Sequence, residues 1–577
     1  MLRLFRYARQ YRALIALVMV LILMQSLAEL YLPTLMADIV NIGVVEGKTG
    51  YIWEMGGLML AVTVVGAIVS VLASLYASKI SSGFGRDVRS RVFSHVEEFS
   101  LHEFDKIGTA SLITRTTNDI NQVQQVLMMM LRLMVMAPMM CIGGIIMALY
   151  KDAELTLVLL VALPVLALSV WLIVRKGMPY FKAIQKKLDR LNLVLREGLT
   201  GIRVIRSFNR TEHEKDRFVD ANRDLMDTAV KVNQIMALMM PLMMLIMNLS
   251  TIAIVWFGGL RIDNGAMQVG DLMAFIQYAM QIMFSLLMFS MMFVMVPRAS
   301  ASATRINEVL DLQATVKDST AAAVGEKPAV RGVVEFVDVS FSYPGAEKPA
   351  LEGISFTANP GDVTAIIGGT GSGKSTLINL VPRFFDAAEG AVRLDGKDVR
   401  NWTQEELRQN IALVPQKAVL FSGTVADNIR YGKEDATDEE IRQAAETAQA
   451  LGFVTEMAEG FDSMLSQGGV NVSGGQKQRL SIARALIRRP KVYLFDDSFS
   501  ALDYKTDAKL RAALKPETAD ATVIIVAQRV STVMDADRII VLDEGQIAGS
   551  GNHRELMESC AVYREIVASQ LSEEEIA

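Results

Sequence analysis

The 577-residue sequence has only two cysteines, Cys141 and Cys560, and they lie far apart along the chain. One lies in an apolar stretch and the other near the C-terminus, so neither a disulfide framework nor a cysteine-based metal cluster is expected. A net positive charge is also lacking, because 58 Lys and Arg residues stand against 63 Asp and Glu residues, which gives −5. A nucleic-acid partner is therefore not expected.

Apolar residues, in contrast, are abundant and unevenly distributed. They make up 51% of the chain, and the mean hydropathy is +0.30, which is high for a soluble protein. They are concentrated in the first half, whereas the second half has an ordinary soluble composition. Because single hydrophobic cores stop growing near ~250–300 residues, we predict several domains: a transmembrane domain over 1–310, a linker over 311–330 and a soluble domain over 331–577.

Six apolar stretches are long enough to cross a lipid bilayer: 13–32, 55–77, 126–150, 154–174, 235–260 and 271–296. The first follows residues 1–12, which carry four arginines and no acid and so place the N-terminus in the cytoplasm. A signal peptide would have a shorter apolar core and a small-residue cleavage site, whereas this run ends in Tyr31-Leu32-Pro33. We therefore predict a retained transmembrane helix.

The charges between these stretches predict a multi-pass plasma-membrane topology. Segments 79–120 and 175–232 are rich in Lys and Arg, as cytoplasmic segments are. The connections at 34–53, 151–154 and 261–270 are shorter and carry no such excess. An even number of spans returns the chain to the cytoplasm, so the soluble domain is expected there too.

Both cytoplasmic segments are too long to be simple turns, and their apolar spacing is helical. We predict that residues 104–119 and 197–209 form helix-turn-helix projections able to contact a neighbouring domain. The alternative is a pair of solvated helices without a coupling role, and spacing alone does not decide between the two.

The spans contain many methionines, for example at Met128–Met130 and Met243–Met244. Methionine suits surfaces that bind varied apolar ligands, so one interpretation is a cavity for hydrophobic small molecules. The other is packing between helices or against lipid. Glu29 and Arg132 are ionisable residues within spans, where charge is costly. Each is either a functional residue of a substrate pathway or a side chain that reaches a nearby interface.

A glycine-rich stretch in the soluble half lies between an apolar run, 363–367, and the continuation of a helix, 377–380. It reads Gly368-Gly369-Thr370-Gly371-Ser372-Gly373-Lys374-Ser375-Thr376. The complete G-x-x-x-x-G-K-S pattern between a strand and a helix predicts a phosphate-binding loop for ATP rather than a turn without a ligand. Lys374 would reach the outer phosphates, and the Ser375 hydroxyl would ligate Mg²⁺.

Further apolar runs predict strands of an α/β sheet. They cover residues 333–336, 339–343, 491–497, 522–527 and 538–542. Asp496 ends one of these buried runs and is placed to hold Mg²⁺ directly or through water.

Ser473-Gly474-Gly475-Gln476 resembles the signature motif of ATP-binding cassette (ABC) transporters. With six spans before it, the whole chain resembles an exporter-type half-transporter. The resemblance implies a six-helix α transmembrane domain followed by an α/β P-loop nucleotide-binding domain with a helical subdomain. It also implies a second half-transporter, because the signature motif faces the ATP held by the other subunit, with Ser473 as a hydroxyl donor.

The resemblance extends to other nucleotide-site residues. It gives Tyr343 the role of stacking on adenine, and it gives Gln416 the roles of Mg²⁺ ligand and γ-phosphate sensor. It adds Asp503, at the end of the segment 500–503, to the nucleotide-binding set. The stretches 104–119 and 197–209 resemble the coupling-helix regions of the family.

The chain departs from the family pattern at three places. Asp497 stands where the family has the Glu that serves as general base, Gln528 stands where it has a His, and Ser466–Gly469 lack the usual acidic residue and arginine. A carboxylate displaced by about an ångström can cost ~100-fold in rate, and a glutamine amide does not exchange a proton near neutral pH. The pattern favours an asymmetric heterodimer whose site on this chain hydrolyses ATP poorly; the alternative is a slow homodimer.

The function expected from the sequence is ATP-driven efflux of hydrophobic compounds or drugs. Lipid flipping and peptide export are alternatives within transport. A soluble ATPase is disfavoured by the six spans, and an ATP-gated channel or regulator stays open because of the residues at Asp497 and Gln528.

Overall fold

The structure, a computed structural model, describes Met1, residues 3–318 and residues 330–570. It divides into two compact units: Met1–Glu97 with Gly108–Leu312, and Glu98–Ile107 with Gln313–Ala577. The short segment Glu98–Ile107 thus groups with the second unit, although it lies inside the range predicted as the transmembrane domain. Residues 319–329 of the predicted linker lie outside the described residues.

Long helices build the first unit. In chain order, the helices up to residue 311 are α1 (Arg12–Asp38), α2 (Thr49–Glu97), α3 (Leu101–Ile107, in the second unit), α4 (Thr109–Thr114), α5 (Ile120–Lys151), α6 (Thr156–Thr200), α7 (Ile202–Ser207), α8 (Thr211–Ala237), α9 (Met239–Asp263) and α10 (Val269–Asp311). Among the described residues, six helical stretches are long and apolar enough to cross a membrane, as predicted.

Two of these helices are far longer than a bilayer requires. α2 has 49 residues and α6 has 45, which at 1.5 Å per residue correspond to roughly 70 Å, against a hydrocarbon core of about 30 Å. The predicted extensions are therefore helical, and residues 104–119 and 197–209 contain the short helices α4 and α7. Their coupling role stays a prediction.

Helix α1 extends beyond the first apolar stretch, 13–32, and continues through Pro33 to Asp38. Proline has no N–H group and leaves the carbonyl of residue i−4 without its helical partner. Here that carbonyl belongs to Glu29, and it accepts a hydrogen bond from Nε2 of Gln281 on α10 at 3.4 Å. The Tyr278 hydroxyl likewise donates to the Leu30 carbonyl at 2.9 Å. Side chains of a neighbouring helix thus allow the helix to continue.

The two ionisable residues singled out within the spans each have an intramolecular partner. A carboxylate oxygen of Glu29 accepts a hydrogen bond from Nε2 of Gln25 at 2.9 Å. Arg132 donates to the Ser74 hydroxyl at 3.4 Å. Both side chains are half-buried, and their role in a substrate pathway stays a prediction.

Two main sheets form the framework of the second unit. The strands are β1 (Val334–Phe341), β2 (Leu351–Ala358), β3 (Val363–Gly368), β4 (Glu389–Leu394), β5 (Lys397–Asp398), β6 (Ile411–Val414), β7 (Gly423–Thr424), β8 (Met464–Leu465), β9 (Val492–Asp496), β10 (Thr522–Val526), β11 (Arg538–Asp543) and β12 (Gln546–Gly551). The larger sheet has the order β12-β11-β3-β10-β9-β6, and it is parallel from β11 to β6. The smaller sheet, β2-β1-β4-β5, is antiparallel.

The helices of this unit complete the predicted α/β domain and its helical subdomain. They are α11 (Lys374–Leu380), α12 (Gln404–Gln409), α13 (Val425–Arg430), α14 (Asp438–Thr447), α15 (Leu451–Glu456), α16 (Gly474–Leu486), α17 (Tyr504–Glu517), α18 (Val530–Val533), α19 (His553–Ser559) and α20 (Ala561–Ala568). Helices α13 to α16 lie between β6 and β9 in the chain, and their buried faces share one hydrophobic core, which includes Ile429, Ile441 and Leu480.

The two strands predicted at 333–336 and 339–343 are one strand, β1. Its pairing with β2 shifts register between Phe336 and Val339, and Asp338 adopts a φ of +51°. Such a bulge turns the following side chains by one position, which explains why the sequence alternation looked like two strands. Tyr343 lies beyond the end of β1.

Candidate functional site

The predicted phosphate-binding loop connects the C-terminal end of β3 to the first turn of α11. Gly371 and Gly373 have φ values of +85° and +95°, which side chains with a Cβ rarely adopt. A Cβ on Gly373 would also lie 2.6 Å from the Ala350 carbonyl oxygen. These constraints give the loop its turn, and the helix N-terminus that follows favours an anion.

Lys374 points back into this loop. Its ammonium group donates to the carbonyl oxygens of Gly368 at 3.0 Å and Gly369 at 2.6 Å. The side chain is buried, and this burial lowers the pKa of Lys374, while the charges of Asp497 and Asp496 oppose the shift. The ammonium therefore lies where a polyphosphate held by the loop would meet it.

Ser375 and Asp496 meet across the loop. The Ser375 hydroxyl donates to Oδ1 of Asp496 at 2.9 Å. Burial raises the pKa of Asp496, and the nearby charge of Asp497 adds to this effect. A hydroxyl and a carboxylate are the hard oxygen donors that Mg²⁺ prefers, and Mg²⁺ sites usually use one or two protein ligands together with phosphate oxygens and water. The donor set thus fits Mg²⁺, which Ser375 and Asp496 would hold. The role of Gln416 as a third Mg²⁺ ligand stays a prediction.

Asp497, directly after β9, is the centre of a small polar cluster. Its backbone has a φ of +46°, and its N–H donates to the Val526 carbonyl at 2.9 Å. Its Oδ2 atom accepts a hydrogen bond from Nε2 of Gln528 at 3.0 Å and another from Nε2 of Gln416 at 3.2 Å. Two predicted site residues, Gln416 and Gln528, thus meet at one carboxylate oxygen of a third, Asp497.

Tyr343 is anchored beside the loop at its hydroxyl end. The Tyr343 hydroxyl lies 3.0 Å from Oγ1 of Thr376, in the first turn of α11. Its ring packs edge-on against Phe385 at 5.6 Å and against Phe341 at 5.0 Å. The side chain remains 40% exposed, so a flat aromatic ligand can still reach it. Sequence reasoning missed Phe385, since no motif marks it.

The signature residues form the N-terminus of α16. Ser473 is the N-cap: its Oγ accepts the N–H of Gln476, and the Gln476 side chain accepts the N–H of Ser473. A Cβ on Gly475 would lie 3.2 Å from the Ala501 carbonyl oxygen. Among the described residues, no hydrogen bond joins Ser473, Gly474, Gly475 or Gln476 to the phosphate-binding loop of the same chain.

Asp503 caps the next helix, α17. Its carboxylate accepts the N–H of Thr506 at 2.9 Å, and the hydrogen bonds from Thr506 lower the pKa of Asp503. In the segment Ser466–Gly469, which departs from the family pattern, the Ser466 hydroxyl donates to Oδ1 of Asn471 at 2.9 Å.

Comparison with known proteins agrees with this geometry over both units. The family model for the ABC transporter transmembrane region matches residues 15–286, and the ABC transporter model matches residues 351–500. An uncharacterized ABC transporter ATP-binding protein of Mycobacterium tuberculosis is 46% identical over 98% of this chain and 97% of its own length. The chain belongs to the ABC transporter family.

Solved structures and other relatives place the chain among the ABC exporters. A bacterial Atm1-family ABC exporter with ATP bound superposes with a TM-score of 0.81, at 25% identity over 98% of this chain and 99% of the other. The ATP-dependent lipid A-core flippase of Pseudomonas aeruginosa is 35% identical over 88% of this chain and 83% of its own. The chain is therefore an ABC exporter with fused membrane and ATPase domains.

Proposed function

We propose that this chain is one half of a heterodimeric ABC exporter that drives hydrophobic compounds out across the plasma membrane. We further propose that its own nucleotide site binds Mg-ATP and hydrolyses it poorly. The observation that supports this most directly is the hydrogen-bonded cluster of Asp497, Gln528 and Gln416 beside the phosphate-binding loop.

A general base for ATP hydrolysis has to accept a proton from the attacking water. Oδ2 of Asp497 already accepts two amide hydrogen bonds, and a glutamine amide cannot relay the proton near neutral pH. Aspartate is also one methylene shorter than the glutamate of the family pattern, and a misplacement of about an ångström can cost ~100-fold in rate. The two effects act on the same step.

The signature motif, which the resemblance assigns to the second nucleotide site, is complete in this chain. Ser473 and Gln476 form a complete capping box at the start of α16, and the resemblance assigns this helix end to the ATP held by a partner. ABC half-transporters commonly act as dimers. A partner with a glutamate after its own Mg²⁺-binding aspartate would complete one competent site, at which the signature of this chain takes part.

The apolar surface of the first unit supports a hydrophobic substrate. A hollow of about 470 Å³ opens between α6 and α9, and Leu157, Val161, Ile246 and Phe257 are among its lining residues. None of its lining residues is a methionine, so the methionine-rich cavity expected from the sequence gains no support from it.

Lipid flipping is the second candidate function. The observation that favours it is the 35% identity to the lipid A-core flippase of Pseudomonas aeruginosa. Both functions use ATP to move a lipid-soluble molecule across the membrane, so the same assembly can be tested for both.

The partner is tested by purification of the tagged full-length chain from its native host. We expect a second half-transporter to co-purify, and we expect ATP hydrolysis only when both chains are present. A homodimer of this chain alone that hydrolyses ATP at an ordinary enzyme rate of ~1–100 s⁻¹ would overturn the heterodimer proposal.

The substrate is tested with the same assembly in sealed vesicles. We expect ATP-dependent accumulation of a lipophilic dye against its gradient, with no movement of a fluorescent phospholipid. Phospholipid movement without dye transport would favour the flippase. Dye movement only down its gradient in the presence of ATP would favour a channel.

A further inference from the structure

An open hollow of about 420 Å³ lies along one face of α6. Its lining residues are Trp171, Val174, Arg175, Met178, Pro179 and Lys182. These positions follow one another at helical spacing, so they share one side of the helix. Gly177, by contrast, is directed towards Ile235 of α8. The hollow therefore faces away from the neighbouring helix of its own chain.

Among the residues that the structure describes, the two cations of this hollow have no acidic partner. The guanidinium of Arg175 lies over the Trp171 ring, 4.8 Å from its centre. In the described ranges neither Arg175 nor Lys182 takes part in an ion pair, whereas Lys187, further along α6, pairs with Asp224 of α8. Residues 155–188 contain no Asp or Glu at all. Stacking on Trp171 thus orients Arg175 while its N–H groups stay available for an anion.

The position of the hollow along α6 matches the cytoplasmic edge of the bilayer. The apolar stretch 154–174 ends just after Trp171, and tryptophan is enriched at the membrane–water interface. Arg175 and Lys182 follow on the cytoplasmic side, about 10 Å apart along the helix. The side chains of Trp171 and Met178 are 51% and 43% exposed, which leaves apolar surface directly beside the two cations.

We propose that this hollow binds the phosphate of an anionic phospholipid from the cytoplasmic leaflet. Arg175, oriented by Trp171, is the main contact of the phosphate, and Lys182 is the second. The upper acyl chain lies against Trp171 and Val174. The charge complementarity favours a lipid headgroup, because basic clusters directly cytoplasmic of a membrane helix attract anionic lipids. The site is independent of the function proposed above.

The test uses the full-length chain with any subunit that purifies with it, reconstituted in nanodiscs of phosphatidylcholine. Binding of a fluorescent phosphatidylglycerol is titrated and compared with binding of the matching phosphatidylcholine. We expect Arg175→Gln and Lys182→Gln each to weaken phosphatidylglycerol binding about fivefold, with phosphatidylcholine unaffected. Trp171→Leu keeps the apolar surface and removes the stacking, so it should lower the preference for phosphatidylglycerol as well.

Lys176→Gln is the matched control, because Lys176 is exposed, adjacent to Arg175 and absent from the lining of the hollow. An equal loss of phosphatidylglycerol binding in Lys176→Gln would show that the loss reflects only the overall positive charge of this segment. That result would overturn the proposed site. Unchanged phosphatidylglycerol binding in both hollow variants would also overturn it. So would inorganic phosphate binding that depends on Arg175 while phosphatidylglycerol binding does not. Loss of subunit assembly without a lipid effect would assign the hollow to a protein interface instead.

Discussion

Nε2 of Gln528 lies 3.0 Å from Oδ2 of Asp497, and this contact joins the loop after β10 to the loop after β9. The same oxygen also accepts a hydrogen bond, at 3.2 Å, from Nε2 of Gln416, which lies in the loop after β6. The ends of three parallel strands are thus tied to one carboxylate. Asp497 is thereby held in place by two amide donors, both of which contact its Oδ2 atom.

We therefore expect that Asp497→Glu alone will restore little hydrolysis at this site. The longer side chain reaches further, but Gln528 would still donate to the carboxylate and could not exchange a proton. The double variant Asp497→Glu with Gln528→His should raise turnover by at least about tenfold over Asp497→Glu, since general acid–base groups contribute roughly 10²–10⁴-fold. The measurement is phosphate release by the purified assembly.

Adding Lys374→Ala to the double variant provides the control, because the gained turnover should disappear when this chain's own loop no longer holds ATP. Gln528→His alone should change turnover little. Equal rates of phosphate release for Asp497→Glu and for the double variant would show that the contact with Gln528 does not limit ATP hydrolysis at this site.

Lys374 itself is expected to determine nucleotide affinity. Its ammonium lies within 3.0 Å of two loop carbonyls, and hydrogen bonds that involve a charged group contribute roughly 1.5–3 kcal/mol. Lys374→Ala should therefore weaken ATP binding by at least about tenfold. A fluorescent ATP analogue gives the affinity. Lys397→Ala is the control, since Lys397 stacks over Trp402 instead of lying in the loop, and an equal loss there would contradict the role.

The features that local patterns encode could be predicted from the sequence. Six spans follow from apolar runs of bilayer length, and the loop at Gly368–Thr376 follows from a motif whose glycines, Gly371 and Gly373, do adopt positive φ values. The strands predicted at 491–497, 522–527 and 538–542 correspond to β9, β10 and β11 within one residue at each end, because buried parallel strands are continuous apolar runs. Strands β4, β6 and β12 are not among the predicted strands.

Features that depend on distant residues could not be predicted. The continuation of α1 through Pro33 depends on Gln281, 252 residues from Glu29. The single strand β1 depends on a register shift against β2. The contact between Gln416 and Asp497 joins residues 81 positions apart. In each case the deciding partner comes from tertiary packing, and no local spacing points to it.

Two substitutions of Tyr343 distinguish the contribution of ring stacking to ATP binding from that of the hydroxyl hydrogen bond. Tyr343→Ala should weaken ATP binding by about 5- to 150-fold, because stacking of a base on an aromatic ring contributes roughly 1–3 kcal/mol. Tyr343→Phe keeps the ring between Phe341 and Phe385 and loses only the contact with Thr376. The affinity of this variant for ATP should stay within about threefold of that of the unsubstituted chain, because one neutral hydrogen bond makes a modest net contribution. Equal losses in both variants, measured with the same analogue, would assign the role to the hydroxyl.

Ser473 is expected to act on ATP hydrolysis at the partner's site while leaving ATP binding at this chain's loop unchanged. Ser473→Ala removes both the hydroxyl donor and the N-cap of α16, and loss of a cap costs about 0.5–2 kcal/mol of stability. Ser473→Asp keeps a capping side chain but places a negative charge where a phosphate would approach. Both variants should lower phosphate release by at least about tenfold if the hydroxyl serves the nucleotide. Retained activity in Ser473→Asp would mean that only the cap matters, and Asn552→Ala, which removes the equivalent capping box of α19, measures the cost of a cap alone.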